Sequence, residues 1–172
     1  MYTIAKVTGK GAFRLERITT FLNPWNDPTD SGWQIIQSLY AIGSGGLFGA
    51  GLGESKQKFL YIPEPHNDFI FSILAEELGF IGCAVVIILF AIFIWRGLLI
   101  AMKAPDMFGS LLAVGITSLI GIQAIMNIAV VTSSMPNTGI PLPFFSYGGT
   151  ALVIILCAVG ILLNISRSSK KV

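Results

Sequence analysis

Between Asp106 and Arg167 the chain carries no charged side chain, and this interval limits what it can fold into. A soluble helix or sheet needs a polar face, and a segment this long without charge does not supply one. The Pro-rich stretch Met135–Pro143 divides it into two apolar runs, Phe108–Val131 and Phe144–Ile165. A third run, Leu78–Trp95, is bounded by Glu77 and Arg96, and its start is drawn back toward Phe69. Each run is long enough to cross roughly 30 Å of hydrocarbon as a helix. Backbone groups in lipid must bond within their own segment, so helices are expected rather than strands. The expected fold is all-α: a polytopic transmembrane helix bundle with spans at about 69–95, 108–131 and 144–165, and a large extracytoplasmic loop over residues 1–68.

Composition excludes other classes. Of the 172 residues, 53% are hydrophobic and 12% charged, against about 25% charged in a soluble domain, so a soluble globular enzyme is ruled out. Residues 1–77 carry 6 basic and 8 acidic side chains, residues 78–172 carry 5 and 1, and the net charge is only +2. No basic stripe interleaves with aromatics, so nucleic acid is not an expected partner. Cys83 and Cys157 both fall in apolar runs and read as small buried core residues. Met1–Ile18 has no apolar core of the kind a signal peptide needs, so insertion rests on the internal spans.

Orientation follows from the flanks. Arg96 and Lys103 follow the first span, Arg167, Lys170 and Lys171 follow the third, and the connection between the second and third has neither Lys nor Arg. Basic flanks are expected on the cytoplasmic side, which places residues 1–68 and 132–146 together on the outer face.

The outer segment is turn-rich, with Asn23-Pro24, Asp27-Pro28 and Asp30-Ser31-Gly32, and reads as a large structured loop. Within it Trp33–Ile42 puts Ile35, Ile36, Leu39, Tyr40 and Ile42 mostly on one helical face. Asp30 or Ser31 is placed to cap its start and Gly43 to end it. Such a short helix either lies in the membrane interface or packs on the rest of the protein. The Gly-rich run Gly43–Gly53 is not a phosphate cradle, because a Walker A loop from Gly46 to Gly51 needs Lys where Leu52 stands. Its glycines, interleaved with Leu and Phe, instead suit close approach of backbone to a lipid or a helix.

The densest chemistry precedes the first span. Lys56, Lys58, Glu64, His66 and Asp68 lie within Lys56–Phe69, and Pro63 and Pro65 keep Ile62 and Glu64 out of helical conformation. This holds Asp68 near the outer membrane surface, where a fixed carboxylate can act on lipid-linked substrates. The competing reading is that Asn67 or Asp68 caps the following helix; a carboxylate at a helix N-terminus is favoured in its ionised form and so is a weaker base. Glu76 and Glu77 are about 12 Å or more along the helix from Asp68, so a paired-carboxylate site is not expected; they read as partners of cations on neighbouring helices or as interfacial residues. His66 alone makes no metal site. Gln123 and Asn127 are four apart and suit interhelical hydrogen bonding. The segment Met135–Pro143 with Ser146-Tyr147-Gly148-Gly149 is expected to turn back into the protein beside Asp68.

These segments together resemble the SEDS (shape, elongation, division and sporulation) proteins, also called the FtsW/RodA/SpoVE family. The resemblance rests on Arg17–Trp25 with Asp27-Pro28, on Gly32-Trp33-Gln34 with Gln37-Ser38, and on the Gly-rich run. It continues through Pro63–Phe71 with Glu76-Glu77-Leu78-Gly79, then Asn127, Pro136, Gly139, Pro143 and Ser146–Gly149. Ser133-Ser134 departs from the Gly-aliphatic pair usual there. The resemblance implies a peptidoglycan glycosyltransferase that polymerises lipid II and undecaprenyl-linked glycan at the outer face of the bacterial cell membrane, with a class B penicillin-binding protein as partner. It implies that Asp68 is the catalytic residue, deprotonating the acceptor sugar hydroxyl. A leaving pyrophosphate needs positive charge, and Lys56 and Lys58 are the nearest local candidates to supply it, together with Arg17 and a divalent cation, Mg or Mn, as cofactor. Glu64 and His66 are the further substrate-binding candidates. Ser55–Lys58 with Tyr61 is closer to the division and sporulation branch than to the elongation branch. The family has about ten membrane helices, so the chain looks like the C-terminal part of such a protein. A lipid-precursor flippase and a noncatalytic scaffold of the division machinery are the rival readings.

Overall fold

A computed structural model describes residues 21, 24–26, 32–55 and 68–168. The described residues hold one turn of 3-10 helix at Pro24–Asn26 and four helices: α1 (Trp33–Gly45), α2 (Ile70–Met102), α3 (Met107–Val131) and α4 (Gly149–Ser168). No strand occurs among them. α2, α3 and α4 are each long and apolar enough to cross a membrane, and the fold is a polytopic helical one.

α2 is too long for a single crossing, because its 33 residues would span about 50 Å against the roughly 30 Å of hydrocarbon. The excess is handled by a break at Gly79, which has φ 67° and ψ −166°. That combination is essentially reserved to glycine. The segment beyond the break, about 34 Å long, is the membrane-spanning part. It runs on past Trp95, where the sequence suggested an end, because the exposed Arg96 sits at the helix surface and does not interrupt the backbone ladder.

α1 lies against α2 and does not face lipid with its whole apolar stripe. Its buried face is Ile35, Ser38, Ala41 and Gly45 at helical spacing, together with Ile36 and Gln37, a mostly small-residue surface that lets the helices meet closely. A Cβ on Gly45 would lie 2.0 Å from the Ala75 carbonyl oxygen. Tyr40, expected on the inner face, is 52% exposed and instead makes an edge-to-face contact with Trp25, ring centroids 6.0 Å apart. The helix also passes Gly43 and stops at Gly46, whose φ of 54° ends the turn. Gly43 is itself helical, with nothing within 4 Å of where its Cβ would be. The N-cap is Gly32, without a side-chain cap; Asp30 and Ser31 lie outside the described residues.

α3 packs against the lower part of α2, approaching closely where a Cβ on Gly97 would meet Thr117 Oγ1 at 2.3 Å. Asp106 caps its start, Oδ2 accepting from the Gly109 amide at 2.7 Å. Its last four carbonyls, which a helix leaves unpaired, all find donors. The amides of Thr132, Ser134 and Ser133 donate to Ile128, Ala129 and Val130 at 3.0, 2.7 and 3.0 Å, and the buried Ser38 hydroxyl of α1 donates to Val131 at 2.8 Å.

α4 begins at Gly149 rather than at Phe144. Phe144 has φ 69° and residues 142–148 form turns. The Phe144 and Phe145 rings pack on Phe90 and Phe93 of α2, centroids 6.1–6.4 Å apart, so their apolarity serves a loop-to-helix contact. Only Ile155 and Leu162 of α4 are buried. Cys83 is buried as expected, whereas Cys157 is exposed, because it lies on the outer surface of α4.

Candidate functional site

Asp68 sits in a turn two residues before α2, half-buried, with Phe69 beside it 2% exposed. The N-cap of α2 is Phe69, not Asp68, and its carbonyl accepts from the Ser72 hydroxyl at 2.7 Å and the Ser72 amide at 3.0 Å. The helix start is thus fixed by a buried aromatic ring and a backbone carbonyl. This places Asp68 at the mouth of the bundle and not inside the first helical turn.

The connection between α3 and α4 runs past Asp68. Gly139, at φ 68°, lies beside the carboxylate: a Cβ there would be in van der Waals contact with Asp68 Oδ2, at 3.4 Å. The Gly139 amide donates to Asn137 Oδ1 at 3.1 Å, a local turn of the kind Asn favours. Asn137 Nδ2 in turn donates to Gln34 Oε1 of α1 at 3.3 Å. Farther along, Ser146 Oγ accepts from the Leu142 amide at 2.7 Å and closes the turn that brings the chain into α4.

α3 holds the two segments together through Asn127. Its Nδ2 donates to the Asp68 carbonyl and to the Ile140 carbonyl, both at 2.8 Å. The sequence suggested that Asn127 and Gln123 bond to another helix; Asn127 bonds instead to loop backbone, and Gln123 Oε1 has no partner among the described residues. Neither position carries a signal that separates the two outcomes, because a loop carbonyl leaves no mark in the sequence.

Glu76, two turns along α2, is 3% exposed and accepts a hydrogen bond from Ser55 Oγ at 2.5 Å. Sequence reasoning did not find this partner; it had assigned Glu76 and Glu77 to cations or the interface. The Gly-rich run lies against the break in α2. Ala50 and Gly51 amides donate to the Glu76 and Glu77 carbonyls at 2.9 and 3.1 Å, and Phe80 and Ile81 amides donate to Gly46 and Leu47 at 2.9 and 3.3 Å. The glycines therefore admit a helix, as one of the two expectations held.

Arg17, Lys56, Lys58, Glu64 and His66 lie outside the described residues, as does Asn67. The segment that contains the last four candidates is bracketed by described anchors: Ser55 on Glu76 at one end and Asp68 on Asn127 at the other. Among the described residues no three His, Cys, Asp or Glu side chains gather into a metal cage. Among α1, α2 and the end of α3, Ile42, Phe71, Phe80, Cys83, Ile87 and Ile128 line much of an apolar pocket of about 300 Å³.

Comparison with known proteins places this arrangement. A family model for FtsW, RodA and SpoVE, described as "Cell cycle protein", matches residues 1–171. Stage V sporulation protein E of Bacillus subtilis (strain 168) is 61% identical over 158 residues, covering 92% of this chain and 43% of that protein. The probable peptidoglycan glycosyltransferase FtsW of Geobacter sp. (strain M18) is 56% identical over 155 residues, covering 90% and 42%. Among solved structures, a peptidoglycan synthase complex in which polymerization and crosslinking are coordinated superposes with a TM-score of 0.70 at 28% identity, covering 93% of this chain and 43% of that one. Rod shape determining protein RodA of Thermus thermophilus superposes at 0.58 with 34% identity, covering 78% and 40%. The chain spans about two fifths of the length of the curated relatives it matches.

Proposed function

The chain belongs to the FtsW/RodA/SpoVE family, and from that premise we propose that it carries the catalytic carboxylate of a peptidoglycan glycosyltransferase that polymerises lipid II. The observation that carries the reading is the position of Asp68: a carboxylate at the mouth of an apolar bundle, backed by the Gly139 backbone and tied through its own carbonyl to α3. The relatives named as glycosyltransferases support it.

In this reaction Asp68 accepts the proton of the acceptor sugar hydroxyl as that oxygen attacks the anomeric carbon of the lipid-linked donor. The new glycosidic bond forms as the bond to the undecaprenyl pyrophosphate oxygen breaks, and the electron pair leaves with the pyrophosphate. One further negative charge develops on a pyrophosphate that is already anionic, at the membrane surface, and fixed cations stabilise it. Lys56, Lys58 and Arg17 are assigned that task, and Glu64 and His66 are assigned to the sugar. The Asp68 end faces outward and the Arg167 end faces the cytoplasm, by the distribution of Lys and Arg, and a class B penicillin-binding protein acts on the glycan product.

Replacing Asp68 by Asn in the intact protein tests the reading in reconstituted vesicles supplied with lipid II. Glycan synthesis is expected to fall by roughly 10²–10⁴-fold, the range of a positioned general base, while lipid II binding persists. Polymerisation at the wild-type rate would sink the assignment. Loss of lipid translocation without any polymer in the wild type would favour a flippase.

A further inference from the structure

We propose that Asn127 is the positioning residue of the site: one buried amide sets both the Asp68 backbone and the outer-loop wall that its carboxylate faces. The inference rests on the reading of Asp68 as the catalytic base. Asn127 is 1% exposed and sits one turn before the end of α3, an element anchored at both ends by the bonds described above. Its Nδ2 lies 2.8 Å from the Asp68 carbonyl and 2.8 Å from the Ile140 carbonyl. Carbonyl oxygens only accept, so the group between them must be the amide nitrogen with its two protons, which fixes the side-chain orientation.

That geometry has a consequence for the reacting group. Gly139, the neighbour of Ile140, is the residue whose backbone borders Asp68 Oδ2. The side chain that holds the Asp68 backbone is therefore the same one that holds the carbonyl next to Gly139, and those two backbone segments are tied together while both hydrogen bonds last. A catalytic group needs its geometry held by residues on rigid elements, and a displacement of about 1 Å costs on the order of 10²-fold in rate.

The remaining atom of the amide points the same way. Asn127 Oδ1 is buried without a hydrogen-bond partner among the described residues, a cost that buried polar atoms rarely carry. A purely packing role in an apolar bundle is met as well by Leu. Asn here supplies two donors on one nitrogen, which Leu, Ser and Asp do not.

The test uses the intact protein and lipid II. Asn127→Asp is isosteric and turns the two donors into an oxygen facing two carbonyls; kcat is expected to fall about 10²-fold with KM within about threefold of wild type. Asn127→Gln keeps the donors on a longer stem and is expected to recover part of kcat. In an Asp68→Asn background, Asn127→Asp should lower the residual rate no further, because there is no base left to position. Wild-type kcat in folded Asn127→Asp, or a loss confined to KM, overturns the proposal while leaving Asp68 in place. Full polymerisation by Asp68→Asn alone overturns the premise and the proposal with it. If neither Asn127→Asp nor Asn127→Gln accumulates as folded protein by size-exclusion chromatography and thermal melting, Asn127 is a folding residue and the positioning role is wrong.

Discussion

Ser55 donates to Glu76 Oε2 at 2.5 Å, with both residues almost fully buried at 1% and 3% exposed. A carboxylate taken out of water must be given donors in return, and losing one is expensive because the acceptor stays behind. Ser55→Ala is therefore expected to destabilise the folded protein by about 1–3 kcal/mol, read as a lowered midpoint in thermal unfolding of the detergent-solubilised protein. An unchanged midpoint would show that Glu76 does not depend on that hydroxyl. At this scale the sequence raises Asp68 as a candidate, because Pro63, Pro65 and the onset of an apolar run point to a carboxylate held near a membrane surface. It was silent about the partners of Glu76 and Asn127. One partner is a serine 21 residues upstream and the others are carbonyl oxygens, which every residue possesses.

Elements show the same division. The spans were legible because length and absence of charge are one-dimensional quantities, and hydrocarbon thickness converts them directly into helices. The break at Gly79 was not, because a glycine in an apolar helix is common and nothing in the run itself marks this one. What marks it is the second strand of backbone that fits there: a Cβ on Gly79 would lie 2.4 Å from the Gly49 nitrogen, and a Cβ on Gly49 would lie 2.1 Å from the Glu77 carbonyl oxygen. Both residues also have positive φ, 67° and 80°. Gly49→Ala is expected to cost at least about 3 kcal/mol, from backbone strain plus a clash that only movement of α2 relieves. Gly43→Ala, in the same Gly-rich run but helical and open around its Cβ position, is expected to stabilise by about 0.5–1 kcal/mol. Thermal melting of the two variants side by side checks the pair. Equal effects would mean that the run is a uniform spacer and not a fitted contact.

Across the whole molecule, the outward-facing side chains of α2, α3 and α4 are large and apolar, among them Ile88, Leu89, Ile92, Leu119, Ile122, Ile154 and Leu163. In water such a surface would drive association; hydrocarbon or further apolar helices meet it without that cost. Three successive crossings put the ends of α2 and α4 on the side opposite Asp68, and that side carries Lys103 and Arg167. The described part of the Asp68 end carries Glu54, Asp68, Glu76 and Glu77. The excess of basic flanks predicts an outward-facing Asp68. This can be measured in cells with Cys83→Ala and Cys157→Ala in place and a single cysteine introduced at Thr138 or Ser168. Thr138→Cys should react with a membrane-impermeant maleimide in intact spheroplasts, and Ser168→Cys only after permeabilisation. The opposite labelling pattern would put Asp68 on the cytoplasmic side, away from the outer-face polymerisation assigned to it. Orientation therefore constrains the proposed chemistry as strongly as any distance within the site, since outer-face polymerisation requires the carboxylate, amide and glycine to stand on that side of the membrane.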